Sequence, residues 1–260
     1  MSELLTDHPA PGIRRLLINR PEARNAINAA VREALHTALI AVRDEPTIRA
    51  VIIGGAGGFF SAGGDLPSMV GISPEAALAR MADGHKIVSL LWRFPKPVIA
   101  AIERAAAGAG AGIAMLADRI IIGNTATLLF PFLRLGLVPD WGLIQTISRR
   151  AGATQAQRFF LDGKPINAET AIAHNMADLN VEDDAVMTHA IKQAELLAAL
   201  PSQAFVRLKQ LLRHDLNNDP LNLVQEAQAQ TACLTGPEFI EGYVAFKEKR
   251  APNFAQTENR

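Results

Sequence analysis

Residues 95–122 read PKPVIAAIERAAAGAGAGIAMLADRIII and place two apolar strands on either side of a helix made of small residues. The strands are predicted over Val98–Ile102 and Arg119–Gly123, and the helix over Gly110–Ala117. Strand, helix and strand in this order form a parallel pair with a right-handed crossover. The stretch therefore predicts an α/β fold built on a parallel sheet.

The same alternation extends towards the N-terminus. Strands are predicted over Ile13–Asn19 and Ala50–Ile53, and a helix over Pro74–Trp92. Asn28 is the predicted N-cap of a further helix, whose apolar positions recur at spacings of four and three residues, at Val31, Leu35, Leu39 and Val42.

Beyond Gly142 the predicted elements are almost all helical. We predict helices over residues 143–149, 154–161, 168–174, 185–200, 202–213, 221–234 and 239–250. The chain thus divides into a core over residues 1–200 and a helical C-terminal region over residues 201–260.

The composition excludes several classes of protein. Hydrophobic residues make up 49% of the chain, which rules out disorder, and 26 basic residues balance 26 acidic ones, which argues against binding of nucleic acid by charge alone. A single cysteine, Cys233, excludes an intrachain disulfide and suits a reducing compartment. The apolar run Gly110–Ala117 is too short to span a membrane, and Met1–Gly12 has no signal-peptide pattern. We expect a cytoplasmic protein.

Common catalytic motifs are missing from the sequence. The six histidines are scattered, and there is no HExxH pair, zinc spacing, GxSxG elbow or Walker A loop, so we expect no metal. The glycines of Gly108–Gly112 follow a strand as in a dinucleotide fingerprint. However, Ile113 stands where the third glycine belongs, and no acidic residue follows at the required distance.

Two glycine-rich turns remain as candidate catalytic features. FFSAGGDL at Phe59–Leu66 and GAGAG at Gly108–Gly112 each lie between a strand and a helix. Such turns leave backbone N–H groups free to hold an anion or a developing oxyanion. Alternatively, the glycines only permit tight turns and close helix packing.

The two turns together, in this order, resemble those of the crotonase (enoyl-CoA hydratase/isomerase) superfamily. Further similar segments are LINRPEARNAIN at Leu17–Asn28, LGLVPDWG at Leu135–Gly142 and TGPEFIEGYVAFKEKRAPNF at Thr235–Phe254. The resemblance covers nearly the whole chain. It implies a spiral of ββα turns with a C-terminal helical trimerisation region, in a homotrimer or a dimer of trimers.

The resemblance also implies a substrate and a site. The family binds acyl-CoA thioesters, needs no cofactor beyond the coenzyme A of the substrate, and stabilises a thioester enolate with two backbone N–H groups. These donors match Gly64 and Ala109. The residues that match CoA or substrate contacts are Ala23, Arg24, Ala62, Gly63, Gly64, Asp65, Leu66, Phe246 and Lys249, of which the last two often reach the CoA of a neighbouring subunit. The apolar residues expected to shield the pocket are Phe130, Phe132, Leu137 and Trp141.

Three positions indicate which reaction of the family to expect. The two glutamates with which hydratases activate water match Gly112 and Phe132, so both are missing, and water has no matched acid and base. Asp140 matches the position at which Δ3,Δ2-enoyl-CoA isomerases and ring-epoxide isomerases carry Glu or Asp. A double-bond shift needs only one base, so we predict an isomerase with Asp140 as that base.

Other interpretations stay open. Asp140 could instead cap the helix that begins near Gly142. The protein could also catalyse another reaction of the family, of the hydratase, hydrolase, ring-opening or dehalogenase type, with Asp140 as base or nucleophile, although the dehalogenases carry a Trp where this chain has Phe132. Finally, the protein could bind CoA without catalysis.

Overall fold

The computed structural model describes residues 2–213 and 236–259. The helix predicted over residues 221–234, together with His214 and Cys233, lies outside the described residues. Nine strands are present in the described ranges: β1 (Leu4–Ala10), β2 (Ile13–Ile18), β3 (Ala50–Gly55), β4 (Val98–Ile102), β5 (Ala105–Ala107), β6 (Arg119–Gly123), β7 (Thr127–Leu129), β8 (Ile166–Asn167) and β9 (Leu179–Val181).

Nine α-helices lie in the same ranges. They are α1 (Ala29–Asp44), α2 (Pro74–Trp92), α3 (Gly108–Met115), α4 (Leu143–Ala151), α5 (Ala153–Asp162), α6 (Ala168–Ala173), α7 (Val186–Ala198), α8 (Ser202–Leu212) and α9 (Pro237–Glu248). The predicted N-cap of α1 is confirmed, because the Asn28 side chain accepts a hydrogen bond of 2.8 Å from the Val31 N–H. None of the described helices is long and apolar enough to cross a bilayer.

The main sheet has six strands in the order β1-β2-β3-β4-β6-β9. β1 and β2 are antiparallel, and the other pairs are parallel, as the alternation of strands and helices predicts. Along the central strands, successive side chains point to opposite faces of the sheet, and both faces are buried. Val51 and Ile53 of β3 belong to the larger core on the side of α1, α2 and α3, whereas Ala50 and Ile52 pack in a second cluster with α7. A parallel sheet covered on both faces explains why these strands are apolar throughout.

A smaller sheet lies in the order β5-β7-β8. β5 follows β4 after two residues, and β7 follows β6 after three, so each of these core strands leads into a strand of the smaller sheet. β5 leads directly into α3, which makes β4, β5 and α3 one ββα turn. α3 begins at Gly108, two residues earlier than predicted, so the glycines of the second turn lie within the first turns of a helix.

The C-terminal region is attached to the core through α8. Lys209 of α8 is buried and forms an ion pair of 2.6 Å with Asp118, which also pairs with Arg213 at 3.0 Å. Leu208 and Leu212 of α8 are exposed. The division of the chain near residue 200 stays a prediction.

Candidate active site

The two glycine-rich turns lie side by side. The Ser61 N–H donates to the Ala105 carbonyl at 3.1 Å, and the Ala107 N–H donates to the Ser61 carbonyl at 2.9 Å. The Ser61 hydroxyl donates to the Asn25 carbonyl at 2.8 Å and accepts from the Gly63 N–H at 3.1 Å. Ser61 is fully buried, so these bonds fix the first turn against β5.

Gly63 makes the closest approach between the turns. Its φ is 93°, and a Cβ there would lie 2.7 Å from the Ala107 carbonyl oxygen. Both the conformation and the contact require glycine. The turn therefore holds the next residue, Gly64, close to the start of α3.

Gly64 and Ala109 line one cavity, and neither backbone N–H has a hydrogen-bond partner among the described residues. The residues on either side of Gly64 both bond to the Ile27 backbone. The Ile27 N–H donates to the Gly63 carbonyl at 2.7 Å, and the Asp65 N–H donates to the Ile27 carbonyl at 3.2 Å. The Gly64 N–H itself has no hydrogen-bond partner among the described residues. Ala109 is the second residue of α3, so its N–H lies in the first turn and has no acceptor within the helix. Its φ is not positive, so an alanine is tolerated there.

The cavity has a volume of about 450 Å³ and is lined mainly by apolar side chains. Leu66, Met69 and Ile72 follow the first turn, and Phe132, Leu137 and Trp141 come from the segment before α4. Asp140 contributes a carboxyl group to the same lining. Two backbone donors and one carboxylate in an apolar cavity can stabilise an oxyanion and move a proton.

The Asp140 carboxyl group is poorly solvated. Burial raises its pKa from 3.8 to about 6, against the opposing effects of its own backbone N–H, Arg80 and His85. Its Oδ1 atom is buried and has no hydrogen-bond partner within the part of the chain that the structure describes. A carboxylate with this pKa and a free oxygen is suited to accept a proton near neutral pH.

Asp140 does not cap α4. The N-cap residue of α4 is Gly142, and no side chain bonds to the first turn of this helix. Instead, the Leu143 N–H donates to the Asp140 carbonyl at 3.0 Å, and Trp141 between them has a φ of 53°. A bulky residue in the left-handed region is rare and is typical of functional sites. The capping interpretation is therefore wrong.

Trp141 occupies the space beside Gly112. A Cβ on Gly112 would collide with the Cβ of Trp141 and would lie 3.1 Å from its carbonyl oxygen. The indole ring also packs on Gly84 of α2, where a Cβ would lie 3.3 Å from ring carbons. Consequently, α3 has no room for a carboxylate side chain at position 112.

Comparison with known proteins agrees with this geometry. The family model for enoyl-CoA hydratase/isomerase matches residues 10–257. The chain belongs to this family. It is 35% identical, over 94% of each chain, to a Rhodobacter capsulatus protein named "Probable enoyl-CoA hydratase". It is 32% identical, over 98% of this chain and 99% of the other, to the 1,2-epoxyphenylacetyl-CoA isomerase of Escherichia coli.

Solved structures show the same fold. The enoyl-CoA hydratase from Bacillus anthracis superimposes with a TM-score of 0.89 at 28% identity, covering 96% of this chain and 98% of the other. The predicted crotonase-type α/β fold is thereby confirmed. The names of the relatives include both hydratases and an isomerase. Family membership therefore identifies an enoyl-CoA hydratase/isomerase but does not tell which of the two reactions this protein catalyses.

The N-terminal residues predicted to contact CoA lie in or next to the first turn. The Ala62 N–H donates to the Arg24 carbonyl at 2.8 Å, which brings Ala23 and the exposed Arg24 beside the turn. Asp65 forms an ion pair with Arg20 at 3.3 Å, so its carboxylate has a structural partner. Their contacts with CoA stay predictions.

Three further predicted residues fall elsewhere. Phe130 does not line the cavity, because it is buried in the core and packs edge-to-face on Phe160 with ring centroids 5.6 Å apart. The prediction that it shields the pocket is wrong. Phe246 falls in α9, but its side chain lies outside the described residues. Lys249 is exposed just after α9 and is not part of the cavity lining, and its contact with CoA, which in the family is often a neighbouring subunit's, stays a prediction.

The sequence interpretation missed the basic residues of the cavity. Arg32 of α1, and Arg80 and His85 of α2, all line it. Arg32 occupies the first turn of a helix, where a cation is unfavourable, and this was the one signal that the sequence offered. The lengths of α1 and α2 and their packing on each other, which bring these residues to one cavity, are properties of the folded chain.

Proposed function

We propose that this family member is an enoyl-CoA isomerase that shifts a double bond of an acyl-CoA thioester with one carboxylate base, Asp140. The observation that supports this most strongly is the half-buried Asp140 carboxyl group in the cavity lined by Gly64 and Ala109, whose buried Oδ1 atom has no hydrogen-bond partner among the described residues. A base with a pKa near 6 is largely ionised at neutral pH and still basic enough to take up a proton.

The proposed reaction has two proton transfers. Asp140 removes a proton from C2 of a 3-enoyl-CoA, and the electrons of the broken C–H bond move into the thioester as a dienolate. The N–H groups of Gly64 and Ala109 stabilise its oxygen. Asp140 then returns the proton to C4, and the double bond forms between C2 and C3. Atoms and charge balance without a cofactor, so we propose none beyond the coenzyme A of the substrate.

The surroundings of Asp140 favour isomerisation over hydration. Addition of water needs one group to activate the water and another to protonate the neighbouring carbon. The positions that match the hydratase glutamates are Gly112, where Trp141 leaves no room for a side chain, and Phe132, which is apolar. A single carboxylate can remove a proton and return it, but hydration would need a second acid or base group, which these two positions do not supply.

A second candidate is the isomerisation of an epoxy-acyl-CoA. The relative named 1,2-epoxyphenylacetyl-CoA isomerase, 32% identical over 98% of this chain, favours it. The same oxyanion donors and the same carboxylate would serve this reaction.

We also propose that the subunits associate as a homotrimer or a dimer of trimers. Leucines on α8 and apolar residues on α9 support this, because Leu208 and Leu212 are 55% and 63% exposed, and Phe239 and Ile240 are 50% and 63% exposed. Apolar surface of this extent commonly marks an interface.

A panel of thioesters tests the proposed reaction. The protein is incubated with 3-enoyl-, 2-enoyl-, aryl-acyl- and epoxy-aryl-acyl-CoAs, and products are followed by the absorbance of the conjugated thioester and by mass. We expect conversion of 3-enoyl-CoA to 2-enoyl-CoA with no change of mass. Turnover of the epoxide alone would favour the second candidate, and addition of water to 2-enoyl-CoA at a faster rate would contradict the proposal.

A further inference from the structure

Arg80 of α2 reaches the first glycine-rich turn. Its Nη2 atom lies 3.3 Å from the point that a Cβ of Gly64 would occupy. A Cβ is about 2.5 Å from the nitrogen of its own residue, so Nη2 lies within about 6 Å of the Gly64 nitrogen. Two hydrogen bonds to one acceptor span about 6 Å, so a single oxygen can accept from the Gly64 N–H and from the Arg80 guanidinium together.

The segment that follows Gly64 holds the guanidinium at this place. The Arg80 Nη1 atom donates to the Ser68 hydroxyl oxygen at 3.2 Å, and the Ser68 hydroxyl donates its own proton to the Asp65 carbonyl at 2.6 Å. The serine proton is thereby engaged, which leaves a lone pair of the hydroxyl oxygen to accept from Arg80. Since Asp65 and Ser68 continue the turn that contains Gly64, these bonds fix one arm of the arginine relative to the Gly64 N–H.

The other arm of Arg80 is available to a ligand. Nη2 donates to no residue within the described ranges, and no carboxylate there forms an ion pair with Arg80. The acidic residues of the neighbouring segments pair elsewhere, Asp65 with Arg20 at 3.3 Å and Asp83 with Lys86 at 2.9 Å. The guanidinium is half-buried and lines the cavity. A ligand oxygen with negative charge would be a strong acceptor for this free arm.

The charge of Arg80 also acts on the proposed base. Burial raises the pKa of Asp140 to about 6, against the effects of its own backbone N–H and of the charges of Arg80 and His85. In the proposed reaction, negative charge starts on Asp140, moves to the thioester oxygen of the dienolate, and returns. A cation near both places attracts this charge at each stage of the reaction.

We propose that Arg80 is a further catalytic residue, a third oxyanion donor that bonds to the thioester oxygen through Nη2, beside the N–H groups of Gly64 and Ala109. This inference rests on the proposed function for the place of that oxygen. A hydrogen bond from a cation strengthens as the oxygen gains negative charge, so it favours the dienolate over the thioester. A phosphate of coenzyme A is the other anionic group that Arg80 could meet, and its charge stays constant during the reaction.

Binding of an enolisable ligand tests the proposal without turnover. Acetoacetyl-CoA loses a C2 proton to give an enolate with its own ultraviolet absorbance, whereas butyryl-CoA, of equal chain length, stays a neutral thioester. Dissociation constants are measured for both, and the apparent pKa of bound acetoacetyl-CoA is read from the enolate absorbance. We expect Arg80→Met to weaken enolate binding by about 10–10²-fold, the range of a hydrogen bond to a charged group, and to raise that pKa. Butyryl-CoA should bind almost as it does to the parent.

Three other variants complete the experiment. Arg80→Gln, shorter and uncharged, should repeat the pattern of the Met variant and keeps the comparison possible where Arg80→Met does not fold. Arg80→Lys keeps the charge and should recover part of the enolate binding. The matched control is Lys86→Met, at an exposed cation of the same helix outside the cavity lining, which should bind both ligands as the parent does. With 3-enoyl-CoA, Arg80→Met should lower kcat and kcat/KM by similar factors, the sign of a contact completed only in the transition state.

Several results would overturn the proposal. Equal weakening of acetoacetyl-CoA and butyryl-CoA in the neutral variants would assign Arg80 to a CoA phosphate. Enolate binding equal to that of the parent would show that Nη2 does not meet the oxygen. A parent protein in which bound acetoacetyl-CoA keeps the pKa of the free thioester would have the same consequence. Absence of isomerisation in the parent would contradict the proposed function instead, and the binding data would still decide the role of Arg80.

Discussion

Replacing Asp140 by Asn removes the proposed base and, at the same time, a half-buried charge. Loss of the base lowers activity, whereas removal of the charge raises stability. The amide has nearly the same size, so packing against the cavity is preserved. Loss of a general base lowers turnover by a factor of about 10²–10⁴.

The change in stability depends on pH. In the folded protein the pKa of Asp140 is raised from 3.8 to about 6, and this difference corresponds to about 3 kcal/mol, at about 1.36 kcal/mol for each pKa unit. Partial contact with solvent reduces the figure, so we expect about 1–2 kcal/mol. The raised pKa means that the protonated carboxyl group is favoured in the folded state. The parent therefore loses stability as pH rises from about 4 to 6, whereas the Asn variant does not.

Two measurements on the same samples check this reasoning. Conversion of 3-enoyl-CoA is followed by absorbance, and the free energy of unfolding is measured by denaturant titration at pH 8 and pH 4.5. We expect Asp140→Asn to be nearly inactive, to be more stable than the parent at pH 8, and to lose most of that gain at pH 4.5. The matched control, Asp184→Asn, changes an exposed carboxylate outside the cavity and should alter neither property. Parental activity in the Asp140→Asn variant, or lower stability at both pH values, would refute the argument.

Further predictions concern the rest of the site and the assembly. The kcat/KM for 3-enoyl-CoA should fall on the acid side with an apparent pKa near 6, because Asp140 must be ionised to act as base, and a profile flat down to pH 4.5 would exclude it. Gly64→Pro removes one oxyanion donor and should lower turnover by about 10²–10³-fold, whereas Gly64→Ala keeps the N–H and displaces mainly the flexible end of Met69, so it should lower turnover much less. Gly112→Ala should destabilise the protein by about 1–3 kcal/mol in denaturant titration, because the added methyl group overlaps Trp141. Light scattering should give three or six times the chain mass of 27.9 kDa, and a stable monomer at micromolar concentration would contradict the proposed assembly.

Much of the fold is readable from the sequence because local signals agree with one another. α2 spans Pro74–Trp92 as predicted, since Ser73 caps it, proline occupies its first position and Pro95 follows its end. The central strands are uniformly apolar because both faces of the sheet are covered. By contrast, β5 and β7 have three residues each, too few to show any alternation.

The site is only partly readable from the sequence, because its decisive features are tertiary. The glycine-rich turns and Asp140 stand out as motifs. However, Gly110 looks like a turn residue, and the structure uses it inside α3, where it packs closely on Ser61, whereas Gly108 at the start of the helix keeps the left-handed conformation of a turn, with a φ of 46°. The position of the Asp140 carboxyl group depends on the left-handed conformation of Trp141, which no local pattern predicts. The lack of a hydrogen-bond partner for the Arg32 Nε atom among the described residues likewise depends on which side chains the fold brings near it.

The central claim is that one carboxylate carries the proton from C2 to C4, and deuterium transfer in a single turnover tests it most directly. A 3-enoyl-CoA with deuterium at C2 is mixed with excess protein in ordinary water, and the 2-enoyl-CoA product is examined by mass spectrometry for deuterium at C4. The Oδ1 atom of Asp140 is buried and unpartnered among the described residues, so we expect the transferred deuterium to exchange slowly with solvent while the dienolate is held. We predict that a substantial fraction of the product carries deuterium at C4. Product with only solvent hydrogen at C4 in the first turnover would contradict a single shuttling base.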